Sequence, residues 1–88
     1  MSNLAKIAMA ETNIRDILSV TVSLEGIRVA PDSNSAVMKA YLNLKHEGNV
    51  ADLAYFLLVN ANEYVLMDYG LIRYTDLEDL AAFILNKD

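Results

Sequence analysis

Apolar residues recur with a helical spacing at the two ends of this 88-residue chain and with a strand spacing in its middle. That change of period limits the fold more than any other feature, since one face of a helix and one face of a strand demand different patterns. Leu4, Ile7, Ile14 and Leu18 predict a helix over residues 3–18, with Lys6, Arg15 and Asp16 off the stripe and Ser2 as its N-cap. Thr12 and Asn13 are weak helix formers midway, and they mark a break. At the other end Leu77, Leu80, Ala81, Ile84 and Leu85 fall at i, i+3, i+4, i+7 and i+8. Thr75-Asp76-Leu77-Glu78 before that stripe reads as a capping box, with the threonine hydroxyl on the third amide. Asp76, Glu78 and Asp79 in the first turn and Lys87 in the last suit the helix macrodipole.

Between these ends Val20, Val22 and Leu24 alternate with Thr21, Ser23 and Glu25, which predicts a half-buried strand. The parity flips at Gly26, after which Ile27 and Val29 hold the apolar positions. A one-residue bulge or a tight turn at Glu25-Gly26 restores both sets to one face. Residues 31–35 (Pro31-Asp32-Ser33-Asn34-Ser35) form the strongest loop signal. Met38, Ala40, Leu42 and Leu44 then alternate with Lys39, Tyr41, Asn43 and Lys45 as a second strand, and residues 46–49 turn. Residues 50–59 fit two patterns. Val50, Leu53, Ala54, Leu57 and Leu58 make a helical stripe that Asn49 would cap. Alternatively, residues 54–59 and 63–67 are the arms of a hairpin that sets Leu57 opposite Val65 and Tyr55 opposite Met67. The short loop and the Tyr and Val of the second arm favour the hairpin, with Gly70 as a bulge or strand end. The expected fold is therefore α+β. It is one compact domain over residues 1–88: an N-terminal helix, an antiparallel β-meander of about four strands, and a capped C-terminal helix.

In such a meander the last two strands are apolar on both faces. Leu53, Tyr55, Leu57, Val59, Val65 and Met67 lie on one, and Ala54, Phe56, Leu58, Tyr64 and Leu66 on the other. Two helices on one side cannot cover both, so Tyr55, Phe56, Leu58, Tyr64 and Leu66 are expected to meet a partner or a second copy. The composition agrees. Hydrophobic residues make up 55% of the chain and the mean hydropathy is +0.24, high for a domain that buries only about 60–65% of its unfolded surface.

Chemistry is sparse. There is no cysteine, so neither a disulfide framework nor a thiolate site is expected. His46 has no nucleophile to activate, and His46-Glu47 is too small a cluster for a metal. Asp32-Ser33-Asn34 starts like a calcium loop, then continues without its glycine or closing glutamate. Gly26, Gly48 and Gly70 stand apart, so no phosphate-binding loop forms. Asp76 and Asp79 share a helix, but first-turn acids are solvated and poorly suited to acid–base work. No enzyme activity, cofactor or metal is expected. The longest apolar run, residues 53–59, is far short of a membrane span, and neither a span nor a secretory leader is expected. Residence in the cytoplasm is the default.

The charge is lopsided. Residues 46–88 hold eight acids against two bases, a balance of −6, whereas residues 1–45 hold four acids against five bases, a balance of +1. An acidic half repels nucleic acid and anionic membrane and attracts basic protein surfaces. Glu63, Asp68, Asp76, Glu78 and Asp79 are the candidate acidic contacts. The five tyrosines are expected at a protein interface rather than stacked on bases. This profile, short, acidic, cysteine-free and without a catalytic constellation, resembles small phage-encoded inhibitors such as anti-CRISPR proteins and nucleic-acid mimics, and also bacteriocin-type immunity proteins. The resemblance implies a non-enzymatic inhibitor or decoy that occupies a basic surface of a target, in the host cytoplasm if phage-encoded. Acids at 12 of 88 positions, without phosphate-like spacing, argue against a pure DNA mimic. The alternative is an assembly subunit, a homodimer formed through an apolar sheet face.

Overall fold

The computed structural model describes residues 4–22 and 25–86. Ser2, Asn3, Ser23, Leu24 and Lys87, each given a place by the sequence, lie outside the described residues. The chain order is α1 (Leu4–Thr12), α2 (Ile14–Ile17), β1 (Val20–Val22), β2 (Ile27–Val29), α3 (Ala36–Glu47), α4 (Val50–Asn60), α5 (Glu63–Asp68) and α6 (Tyr74–Asn86). The α+β class holds broadly, but the four-strand meander does not. Among the described residues the sheet has two antiparallel strands, β1 and β2, in the register Val20–Val29, Thr21–Arg28 and Val22–Ile27.

Where the chain signals its own local geometry, the elements follow. α1 stops at Thr12, whose hydroxyl bonds the Ala8 carbonyl at 3.0 Å while the Asn13 amide bonds Met9 at 3.2 Å. Such back-bonding competes with the helix and ends it. The turn before β2 runs through Gly26 at φ 73°. In the loop that follows, Asp32 accepts from the Asn34 N–H at 2.8 Å.

Residues 38–45 are helix, not strand. Ser35 caps α3 by accepting from the Met38 N–H at 3.3 Å, and Gly48 closes it in the left-handed region at φ 78°. Met38 and Tyr41 are buried, Val37 and Leu44 pack beside them, and Leu42 stands in solvent. The helical stripe therefore runs 37, 38, 41, 44, and the apparent alternation is a by-product of Leu42 and Ala40 falling between its members. Residues 50–60 are likewise helix, capped by Asn49, which accepts from the Asp52 N–H at 3.0 Å. Leu53, Ala54 and Leu57 are buried at i, i+1 and i+4, as in the stripe of the helical alternative, whose Leu58 instead stands in solvent. The second arm of the expected hairpin is the short helix α5, so Leu57 and Tyr55 have no strand partners in Val65 and Met67.

α6 is the centre of the core, lying between α4 and α1. It buries Leu77, Leu80, Ala81 and Ile84 against Leu53, Ala54 and Leu57 of α4 and Ile7 and Ala10 of α1. Its start differs from the expected capping box. The helix begins one residue before Thr75, and Asp76 secures it by reaching back (Oδ2 accepts from Ile72 N at 3.0 Å and Arg73 N at 2.9 Å). α5 ends in a full Schellman motif: Gly70 N–H bonds Met67 O, Leu71 N–H bonds Leu66 O, and Leu66 and Leu71 are both buried. Gly70, at φ 73°, is thus a helix terminus rather than a strand bulge.

Candidate functional site: an apolar groove beside helix α5

α4 carries apolar residues on all sides, so packing one stripe on α6 leaves others in solvent. Leu58 and Val59 on its far side face α5 across the short turn at Ala61 and Asn62. Asn62 sets that turn: its Oδ1 accepts from Tyr64 N at 3.0 Å and Val65 N at 3.4 Å, and its Nδ2 donates to Thr21 Oγ1 at 3.2 Å. With Val65 and Leu66 turned into the core, Tyr64 and Met67 point outward, and the Schellman turn presents Ile72 beyond them. The result is a groove of about 540 Å³ whose lining includes Leu58, Val59, Tyr64, Met67 and Ile72, with Glu63 as its charged member. Tyr64 is 69% exposed and Ile72 74%. Five large apolar side chains open to solvent in one concavity exceed the scattered exposure ordinary for a small domain.

The structure divides the candidate residues named from the sequence. Leu58, Tyr64, Glu63 and Leu66 meet at this groove, although Leu66 is buried and forms its floor. Tyr55 and Phe56 lie elsewhere, in a shallower recess of about 320 Å³ with Leu44, Asp52, Val59 and Asn60. Phe56 packs on the core while Tyr55 is exposed. The expected second sheet face does not exist, because these residues belong to two helices.

The acids divide too. Glu78 and Asp79 stand on the exposed face of α6, and Asp68 is exposed at the end of α5. Asp76 is buried at 3% exposure and is no surface contact. The hydrogen bond from the Arg73 N–H, aided by the Arg73 guanidinium 3.3 Å away and the Ile72 N–H, holds its carboxyl below the usual value despite burial. Asp52, Glu63 and Asp76 each sit in the first turn of a helix. Part of the negative balance of this half is therefore helix-dipole placement. Missed by the sequence reading were Val59, Met67 and Ile72. The signal available was Ile72 itself, a large aliphatic residue between a glycine turn and the α6 start.

A third recess, about 480 Å³, lies over Tyr41 between α3 and the α1–α2 break, lined among others by Glu11, Arg15, Asp16 and Lys45. Burial pushes the Tyr41 hydroxyl up to about 12, with the Glu11 carboxylate adding to the effect. Among the described residues no three side chains of metal-ligating type come together, and no helix is long and apolar enough to cross a membrane.

Comparison with protein-family models, curated proteins and solved structures finds no match for the chain.

Proposed function

We propose that the protein is a non-enzymatic protein-binding module that occupies a basic surface of a target protein, as an inhibitor or decoy does. The groove beside α5 supplies the apolar anchor. Glu63, Asp68, Glu78 and Asp79 supply the charge that selects and steers a basic partner. The observation that carries this reading is the conjunction in one half of the chain: five exposed apolar side chains in a single groove, within a segment whose charge balance is −6. Binding energy in protein interfaces concentrates in such apolar and aromatic anchors, while surrounding charges mainly set association rate and specificity.

The test places a photoactivatable side chain at position 64 or 72 and identifies what it crosslinks in the native cell. The crosslinked protein, once purified, should bind less tightly as salt rises. It should associate several-fold more slowly with an Asp79→Lys, Glu78→Lys variant and lose binding to Ile72→Glu. A crosslinked partner indifferent to all three changes would sink the reading.

A further inference from the structure

The recess between α3 and the α1–α2 break holds a polar group that the fold buries without pairing. Tyr41 is 3% exposed and belongs to the core. Among the described residues no hydrogen bond reaches its hydroxyl, on which only burial and the charge of Glu11 act. A buried tyrosine hydroxyl ordinarily finds a partner. This one is not sealed in, as that of Ser19 is, but opens on the recess that Tyr41 lines. It keeps its proton to about pH 12 and is therefore a donor at any physiological pH.

Two cations and two acids surround it. Arg15 is held by its Nε, which donates to the Pro31 carbonyl at 2.8 Å and leaves both Nη groups for other acceptors. Among the described residues Lys45 has no ion-pair partner. Asp16 meets Arg28 at 3.8 Å, a loose pair. A carboxylate offers about four acceptor sites, more than one partner fills, so Glu11 and Asp16 both retain capacity. Ile14, Met38 and Leu42 supply the apolar part of the lining. At about 480 Å³ the recess lies within the range of roughly 300–1,000 Å³ found for small-molecule sites.

We propose that this recess binds a small zwitterion with an apolar body, of the class of a free apolar amino acid. Its carboxylate accepts from the Tyr41 hydroxyl and from Arg15 and Lys45, and its ammonium donates to Glu11 and Asp16. Its side chain lies against Ile14, Met38 and Leu42. Charge selects that class. The two acids balance the two bases, so a simple anion or cation is drawn to one pair and repelled by the other, whereas a dipolar molecule suits both. The recess shares no lining residue with the groove beside α5, so the proposal stands apart from the binding of a protein target.

The measurement is a titration of the whole chain, followed by its amide resonances, with leucine and phenylalanine as probes. Two blocked forms, N-acetyl-leucine and leucinamide, each keep one charge of the zwitterion. Leucine or phenylalanine should shift the resonances of residues 11–16 and 38–45 and leave the groove at 58–72 unmoved. The dissociation constant should be about 1 mM or tighter, the scale for a ligand of about ten non-hydrogen atoms. Both blocked forms should bind at least tenfold more weakly. Tyr41→Phe keeps the ring in the core and Lys45→Gln changes an exposed side chain, and each should weaken binding several-fold. Absence of localised shifts with both free amino acids would overturn the proposal. So would a blocked form that binds as well as leucine, which would make the recess a site for a single charge. Binding indifferent to both variants, or shifts confined to the groove, would overturn it as well.

Discussion

The backbone N–H of Asn62 donates to the Ile17 carbonyl across 2.7 Å, the contact that joins the N-terminal third of the chain to the α4–α5 turn. The same residue's side chain caps α5 with its oxygen. Its nitrogen reaches Thr21 and, at 3.4 Å, the Ser19 carbonyl. One asparagine thus holds the root of the hairpin against the helix that lines the groove.

Asn62→Ala should accordingly cost about 1–3 kcal/mol, since it strands the first amides of α5 and removes both donor bonds. Asn62→Asp keeps the capping oxygen and should cost less. Urea unfolding followed by circular dichroism gives both values. Equal loss in the two variants would show that the donor arm, not the cap, carries the junction.

At the α6 start, Asp76→Ala should destabilise by about 2–3 kcal/mol, because two amides lose a charged acceptor in a buried setting. Thr75→Ala, in an exposed first-turn position, should stay within about 0.5 kcal/mol of wild type. The Asp76 carboxyl is lowered in the folded state from its ordinary 3.8. The stability it supplies is therefore present above that value and is lost as pH falls through the lower, folded value. Asp76→Asn should flatten this acid limb of the stability curve. An unchanged limb would refute the role.

Tyr41 acts at the opposite end of the pH scale. Its hydroxyl ionises near 10 when unfolded and near 12 when folded, so the folded state holds the proton longer. The stability this supplies is complete below pH 10 and declines as pH rises toward 12. Tyr41→Phe should remove that alkaline decline. Ultraviolet titration of the native protein should show a tyrosine ionisation near pH 12 that is missing from the Tyr41→Phe variant.

Ser19 is buried at 3% exposure, and among the described residues its hydroxyl has no hydrogen-bond partner. An unmatched buried hydroxyl costs about 1–3 kcal/mol. Ser19→Ala should therefore leave the thermal midpoint unchanged or raise it, and a clear fall would reveal a partner for the hydroxyl.

Elements whose geometry is encoded within a few residues were legible in the amino-acid sequence. Thr12 and Asn13 end α1 through their own side chains, Gly26 makes the turn between β1 and β2, Pro31 to Ser35 make the loop, and the five-membered stripe from Leu77 makes α6. The groove was legible only in part, through Leu58, Tyr64 and Glu63. What the local pattern could not decide was whether residues 38–45 and 54–67 would be strands or helices. Over four apolar positions, alternation and a short helical stripe overlap, and each is an amphiphile waiting for a surface. Tertiary packing chose: α6 offers Leu77, Leu80, Ala81 and Ile84 as a surface that a helix of Leu53, Ala54 and Leu57 fills, and Ser35, Asn49 and Asn62 stand where three helix starts need caps. A strand at either place would need a ladder neighbour to satisfy its backbone, whereas a helix satisfies its own and asks only for one buried face. The same choice decided the interface residues. Once α4 and α5 are helices, the side chains expected on one sheet face separate, and Ile72, Met67 and Val59 join Leu58 and Tyr64 in their place.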